Sequence, residues 1–467
     1  MKMWSGRFRQ PLDPHFEEWQ RSFPFDQKLL RFELAASGAH AQALKAAGIL
    51  TPAEFSLIHS ALVEIGKSSE QIANYFNDPE AEDVHHFVEK KLVALIGETG
   101  KKLHSGRSRN EQIATDLRLF VRESIDEIRT LLGDFLDALL ERAERSQSLT
   151  MPAYTHLQRA EPVLTSHWLL AYFEMFWRDG ERLLDCRERV NECPLGSGAV
   201  TGATLPLDRE LVSRALGFAR PTANSMDATS DRDFALEFVN ALSLLGIHLS
   251  RWAEELILFA TQEYAFITLP EAYSTGSSAM PQKQNPDSLE LIRGKSARLI
   301  GNQMALLTTV KGLPLAYNKD MQETQESVFE ATATAIHCLK VAAGFMRQVK
   351  FNADRMKSAC ESGFMNAMAA ATYLSKRGVP FRQAHEVIAQ VVQKCLAQEC
   401  ELDQLSLDEL REFSSAFGAD IYENLKVESV LACHDVPGGT ALHRVQQALA
   451  VAREKLATLR EAHGTHA

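Results

Sequence analysis

Residues 273–293, with the sequence YSTGSSAMPQKQNPDSLELIR, place donor groups just ahead of a predicted helix. Those groups are a hydroxyl, an ammonium and an amide, on Ser277, Lys283 and Asn285. Pro286 followed by Asp287 is a helix-start pattern, and such a start offers free backbone N–H groups and a partial positive charge. This arrangement suits the binding of an anion, although its composition alone also fits an ordinary capped surface loop.

Three more strings with polar side chains precede predicted helices. Residues 152–162, PAYTHLQRAEP, contain His156, and a histidine can give or take a proton near neutral pH. Residues 103–111, LHSGRSRNE, contain Arg107, whose paired N–H groups match a carboxylate or phosphate. Residues 224–233, NSMDATSDRD, are rich in capping groups. Each string taken alone also fits a plain polar connection between helices.

Together these strings favour acid–base chemistry on a substrate with several carboxylates. The sequence contains no phosphate-binding GxxxxGK, no GxGxxG after a strand and no metal-ligand spacing. We therefore expect neither a cofactor nor a metal. An elimination next to a carboxylate fits this set, because loss of a proton beside a carboxylate creates negative charge that cations and N–H donors must stabilise.

Long helices are predicted to position these strings. Proline is absent from residues 80–151, 222–269 and 315–379, and proline interrupts helices. Apolar residues inside these gaps recur at spacings of three and four, and no convincing alternating strand pattern is found. The sequence therefore predicts an all-α protein with a bundle of long helices. We expect three domains, over residues 1–107, 108–360 and 361–467.

Bulk composition excludes several classes of protein. The chain has 467 residues, 45% of them hydrophobic, and a net charge of −11, so no attraction to nucleic acid or to a membrane surface is expected. No apolar run is long enough to span a bilayer, and the N-terminus lacks a secretory signal pattern. Seven cysteines without a CxxC pair argue against a disulfide framework or a zinc site. These features predict a soluble, cytoplasmic protein.

Several strings resemble the fumarase/aspartase superfamily. GSSAMPQKQNP is similar to the mobile loop of that superfamily, and the match extends nearly end to end for the argininosuccinate lyase family, whose fold has also been reused as the lens protein delta-crystallin. The strings that carry the resemblance are WSGRF, HSGRSRNEQIATDLRL, YTHLQRAEP, PLGSGA, NSMDATSDRDF, YSTGSSAMPQKQNPDSLELIRGK, YNKDMQE and GVPFRQAH.

The resemblance implies a three-domain helical fold and a homotetramer with a 20-helix core, in which each active site is shared between subunits. It implies cleavage of argininosuccinate to arginine and fumarate. Ser277 matches the family's base and His156 its proton donor, although which of the two is acid and which is base depends on the mechanism assumed. Lys283 matches the cation that stabilises the carbanion, and Glu290 matches the partner of the histidine.

Further positions match substrate contacts of the family. They are Ser22, Asn110, Thr155, Asn285, Tyr317 and Gln322, and we add Arg107 from its string. Gln284 and Gln325 stand where the family usually has basic residues, which bears on substrate affinity. The alternatives are another lyase of the superfamily, such as adenylosuccinate lyase, and a structural protein like delta-crystallin.

Overall fold

Helices make up most of residues 10–464, which are the residues that the computed structural model describes, and this confirms the all-α prediction. The WSGRF string, at residues 4–8, lies outside them. The α-helices are α1 (Pro14–Trp19), α2 (Phe23–Asp26), α3 (Leu30–Ala46), α4 (Pro52–Gln71), α5 (Val84–Ile96), α6 (Glu98–Lys101), α7 (Arg109–Arg145), α8 (Thr165–Val190), α9 (Arg209–Ala215), α10 (Ser225–Ser230), α11 (Asp233–Ala260), α12 (Asp287–Val310), α13 (Glu323–Gln348), α14 (Ala353–Cys360), α15 (Ala367–Lys376), α16 (Phe381–Gln398), α17 (Leu407–Phe413), α18 (Ile421–Asn424), α19 (Val427–Cys433) and α20 (Leu442–Gly464).

Short strands form four two-stranded sheets in the described chain. The strands are β1 (Thr150–Thr155), β2 (Gln158–Leu164), β3 (Glu192–Cys193), β4 (Arg220–Pro221), β5 (Ile267–Thr268), β6 (Thr275–Gly276), β7 (Gln284–Asn285) and β8 (Lys350–Phe351). The pairs β1–β2, β5–β8 and β6–β7 are antiparallel, and β3–β4 is parallel.

Helix boundaries follow the capping signals of the sequence. Thr51 and Glu54 form a capping box at the start of α4, and Ser406 caps α17 through the backbone N–H of Glu409. Such caps satisfy backbone donors that have no partner inside the helix. Helix α12 begins at Asp287, as predicted.

The long helices lie where proline is absent. Helix α7 has 37 residues, of which 111–119 are buried on all sides, and from Val121 to Leu139 its buried residues repeat mostly at spacings of three and four. Helices α11 and α13 have 28 and 26 residues. The 26 residues of α8 were not among the predicted long helices, although the proline-free interval between Pro162 and Pro194 is long enough to hold them.

The chain divides into two compact units. The first contains the chain up to Glu127 with Glu181–Ser243 and Arg298–Thr334. In its core, Phe120 packs edge-on against Phe32 and Phe329, at centroid distances of 6.0 and 4.8 Å. The three-domain division stays a prediction.

The second unit contains Ile128–Gly180, Leu244–Ala297 and the chain from Ala335 onward. Its core contains a row of packed aromatic rings. Phe135 contacts both Phe176 and Trp252, at centroid distances of 4.8 and 5.2 Å, and Trp252 contacts Phe345 at 5.8 Å. Trp252 is fully buried. Edge-on pairs of this kind each add about 0.5–1.5 kcal/mol to the burial of the rings.

The segment around His156 differs from the expected irregular loop. It is a hairpin, in which β1 and β2 pair from Thr150 with Leu164 to Thr155 with Gln158. His156 and Leu157 form the two-residue turn, with φ values of 55° and 58°. Positive φ at both positions is typical of a type I′ turn, which normally contains Asn-Gly or Asp-Gly. His-Leu carries no such signal.

No helix within residues 10–464 combines the length and the apolar character needed to cross a membrane.

Candidate active site

A short two-stranded sheet closes the loop that carries Ser277 and Lys283. Thr275 pairs with Asn285, and Gly276 pairs with Gln284. The Gln284 amide donates to Ser274 Oγ at 2.6 Å and to Leu269 O at 3.3 Å, and the Asn285 amide donates to Gly276 O at 3.4 Å. The loop of residues 277–283 is therefore held at its base, and Gln284 is one of the residues that hold it.

The Ser277 hydroxyl lies in a backbone cradle. Its Oγ accepts hydrogen bonds from the N–H groups of Ala279 and Met280, at 3.2 and 3.1 Å. Donors aimed at an oxygen stabilise negative charge on it. Ser277 is half-buried, whereas Lys283 and Glu290 are exposed, and the side chains of these two have no hydrogen bond or ion pair within the described chain.

His156 and Thr155 lie at the tip of the β1–β2 hairpin and are exposed. The hairpin packs through Tyr154, whose ring lies 5.5 Å from that of Tyr264. Across residues 10–464, no hydrogen bond or ion pair joins His156 to Ser277 or to Glu290. The second unit thus carries two separate reactive groups, and the structure does not bring the predicted acid and base into contact.

In the first unit, Arg107 belongs to a buried polar cluster. Its guanidinium donates to Ser37 Oγ at 2.8 Å and lies 3.8 Å from Glu33 Oε1. His85 Nδ1 lies 2.9 Å from Glu33 Oε2 and 3.5 Å from Asp116 Oδ2. Burial, together with Glu33, raises the pKa of the Asp116 carboxyl.

Glu33, His85 and Asp116 place three potential metal-ligand atoms within 4.8 Å of one another. The Arg107 guanidinium beside them already supplies one positive charge. With Asp116 protonated, as its raised pKa favours, and His85 neutral, the Glu33 carboxylate and the Arg107 guanidinium sum to zero, so the cluster balances its charge without an added ion. We interpret it as an ion-pair network that fixes Arg107.

The predicted contact Ser22 and two cationic residues lie around Glu82 and Asp83 in the first unit. The backbone N–H of Ser22 donates to Glu82 O at 3.0 Å, and Lys319 Nζ lies 3.8 Å from a Glu82 carboxylate oxygen. Arg109 pairs with Asp83 at 3.1 Å. Sequence reasoning passed over Arg109 and Lys319 individually, although both lie inside the recognised strings SGRSRN and YNKDMQE.

Tyr317, Gln322 and Ser22 each have defined surroundings in this region. Burial raises the pKa of the Tyr317 phenol, against the opposing effects of the nearby Arg232 and Arg109 guanidinium groups. The Gln322 amide donates to Gln20 O at 3.2 Å. The Ser22 hydroxyl donates to Asp26 at 2.6 Å, and burial, with Asp83 adding, raises the pKa of Asp26 to about 8.

Glu111 connects the SGRSRN string to the PLGSGA string. One carboxylate oxygen accepts from the N–H groups of Gly196 and Gly198, at 2.6 and 2.9 Å, and the other accepts from Ser108 at 2.9 Å. The neighbouring Asn110 amide donates to Ala199 O at 3.4 Å. Glu111 thereby positions Asn110, a role that sequence reasoning did not assign.

Gln325, the second departure from the family pattern, is buried. It is 2% exposed, and its side-chain carbonyl has no hydrogen-bond partner in the described chain.

The chain matches known proteins over nearly its whole length. The family model described as Lyase matches residues 6–301, and the one described as Argininosuccinate lyase C-terminal matches residues 364–432. The argininosuccinate lyase of Koribacter versatilis is 59% identical over 461 residues and covers 99% of both chains. That of Acidobacterium capsulatum is 56% identical over 476 residues, which cover 99% of this chain and 96% of the relative.

Solved structures share the fold. The chain resembles EDDS lyase in complex with formate, with a TM-score of 0.85 and 24% identity over 98% of this chain and 92% of that one. It also resembles fumarate lyase:delta crystallin from Brucella melitensis bound to cobalt, with a TM-score of 0.71 and 17% identity over 94% and 93%. Fold and sequence together define a lyase of the fumarase/aspartase superfamily. Within that superfamily, the chain belongs to the argininosuccinate lyase family.

Proposed function

We propose that the chain cleaves argininosuccinate to arginine and fumarate and serves arginine biosynthesis. The observation that carries this proposal is the 59% identity to an argininosuccinate lyase over 99% of both chains. In the reaction, a base takes the proton beside a carboxylate, the C–H electrons form the double bond of fumarate, and the C–N bond breaks. An acid then returns a proton to the leaving guanidinium nitrogen.

Ser277 is proposed as the base. A serine hydroxyl is a weak acid, so its alkoxide needs strong stabilisation. The N–H groups of Ala279 and Met280 supply two donors to Oγ, which supports this assignment. Lys283, on the same loop, is proposed to stabilise the carbanion together with the first turn of α12, whose N–H groups carry partial positive charge.

His156 is proposed as the proton donor, with Glu290 as the partner that stabilises its protonated form. Thr155 and Asn285 are proposed to bind the substrate carboxylates from the hairpin and the loop. Ser22, Arg107, Asn110, Tyr317 and Gln322 are proposed as the remaining substrate contacts. Since the Ser22 hydroxyl is bonded to Asp26, that residue can reach substrate only if this bond is exchanged.

A homotetramer with shared active sites is proposed as the working form. Helix α12 supports it with an apolar stripe in the first unit, where Ile300, Met304 and Leu307 are 41%, 58% and 45% exposed. A stripe of this kind is typical of a surface covered by another chain. The exposed His156, Lys283 and Glu290, whose side chains have no hydrogen bond or ion pair within residues 10–464, also fit a site that a neighbouring subunit completes.

A cytoplasmic location is proposed from the cysteines. All seven are free thiols, which supports a reducing compartment.

The decisive experiment is an absorbance assay for fumarate with the purified chain and argininosuccinate, with arginine measured in parallel. Equal amounts of fumarate and arginine are expected. Adenylosuccinate serves as the second substrate, and fumarate formed from it alone would favour the alternative lyase. No fumarate from either substrate would favour a structural role like that of delta-crystallin.

A further inference from the structure

We infer that Arg159 is a positioning residue for His156, which it holds in place by tying the tip of the β1–β2 hairpin to the segment that follows α14. This inference rests on the proposed function, because it takes His156 as the proton donor. Arg159 is the second residue of β2 and pairs with Tyr154 across the hairpin.

Arg159 forms hydrogen bonds with two residues that are distant in sequence. Its Nη1 donates to Ala359 O at 3.1 Å and to Ser362 Oγ at 2.9 Å. Ala359 lies in the last turn of α14, and Ser362 lies two residues beyond that helix. Hydrogen bonds from a charged donor are stronger than those between neutral groups. The guanidinium therefore fastens the start of β2 to a rigid element.

The hairpin tip needs this restraint for two reasons. The register between the strands shifts between Pro152 and Tyr154, so the pairs Tyr154–Arg159 and Thr155–Gln158 are separated from the regular ladder below them. The turn itself has little packing, since Leu157 is 66% exposed. Left-handed backbone at non-glycine residues costs on the order of 1–3 kcal/mol and persists only where the surroundings enforce it.

Polar contacts also hold the far end of the hairpin. The backbone N–H of Leu164 donates to Thr440 Oγ1 at 3.0 Å, and a Glu161 oxygen lies 3.5 Å from His434 Nε2. Tyr154 packs against Tyr264 beneath the tip, and its phenol faces Arg159, which opposes the rise that burial causes in the Tyr154 pKa. Arg159 thus links the tip through hydrogen bonds to Ala359 and Ser362 of the second unit.

Steady-state kinetics on argininosuccinate test the inference through a double-mutant comparison. Arg159→Ala is expected to lower kcat by about 10- to 100-fold with little change in KM, because a displacement of about 1 Å at a reacting group can cost about 100-fold. Arg159→Lys keeps one donor and should recover part of the loss. In a His156→Asn background, Arg159→Ala should change kcat by less than about twofold, because the group that it positions is gone.

Ser362→Ala is the matched milder variant, since it keeps the Arg159 charge and removes one acceptor. It should lower kcat in the wild-type background and not in the His156→Asn background, and it carries the test if Arg159→Ala does not fold. If Arg159→Ala or Ser362→Ala lowered kcat by the same factor in both backgrounds, the inference would be wrong, but the proton-donor assignment of His156 would be unaffected. A wild-type rate in His156→Asn by itself would overturn the proton-donor assignment, and the inference with it.

Discussion

Ser277, the proposed base, owes the surroundings of its hydroxyl to the backbone. Its Oγ accepts two N–H groups, whereas the neighbouring Ser278 is exposed and its hydroxyl has no hydrogen bond in the described chain. Ser277→Ala is expected to lower kcat by about 10²- to 10⁴-fold, the usual contribution of a positioned acid–base group. Ser278→Ala is the matched control and should retain a kcat near that of the wild type.

Circular dichroism and chain mass in solution should be unchanged in Ser277→Ala, because an exposed loop residue contributes little to folding. A kcat near that of the wild type in this variant would remove Ser277 from the role of base.

The buried residue His40 is expected to make the free energy of unfolding depend on pH. It is 1% exposed, and burial, with Arg107 adding, lowers its pKa from 6.5 to about 3. The unfolded chain therefore binds a proton between pH 6.5 and pH 3 that the folded chain does not. Stability that is fully present above pH 6.5 is lost as the pH falls through this window, by about 1.4 kcal/mol per pH unit for one proton.

Urea unfolding at several pH values measures this effect as a difference between wild type and His40→Gln. Glutamine keeps a donor for the bond to Ser105 O, which His40 Nε2 makes at 3.0 Å, and it does not titrate. His104 acts in the same direction, since burial lowers its pKa to about 4, so the wild-type slope should decrease in the variant but not vanish. Parallel pH profiles for the two proteins would contradict the assignment.

The loop of residues 277–283 is an element whose function depends on its base. Gln284→Leu removes the amide that bonds Ser274 and Leu269, and hydrogen bonds of this kind each contribute about 0.5–1.5 kcal/mol. We expect kcat to fall several-fold while the thermal midpoint changes little, since the loop lies outside the core. Gln282→Leu is the control, because Gln282 is exposed and its amide has no hydrogen bond in the described loop.

Equal kinetics for Gln284→Leu and Gln282→Leu would show that the bonds at the base do not control the loop. The comparison also addresses Gln284 as a departure from the family pattern. The family usually has a basic residue at this position, whereas the Gln284 amide forms hydrogen bonds at the base of the loop.

Local signals account for the elements that the sequence predicted correctly. Proline-free intervals contain α7, α11 and α13, and the Pro286–Asp287 pattern marks the start of α12. The β1–β2 hairpin was missed, because His-Leu is an unusual pair for its turn. Contacts such as that of Glu111 with Gly196, 85 residues apart, have no local pattern at all, and only the folded chain reveals them.

At the scale of the whole molecule, the proposed homotetramer would cover the exposed stripe of α12. The resemblance, not the composition, gave the homotetramer as an expectation. The stripe adds a physical reason to expect association. Ile300, Met304 and Leu307 recur at spacings of four and three, so these exposed apolar side chains share one face of the helix.

Met304→Glu tests that assembly, because a charge placed on an apolar contact must be desolvated when chains associate. Light scattering after size exclusion should show the mass fall from four chains to fewer, and kcat should fall with it if active sites are shared. Leu396→Glu is the control, since Leu396 is 63% exposed on α16, away from the stripe in sequence. That variant should keep both mass and rate. A Met304→Glu protein with unchanged mass would exclude this face of α12 as the contact, and one that dissociates yet keeps its kcat would show that each chain holds a complete active site.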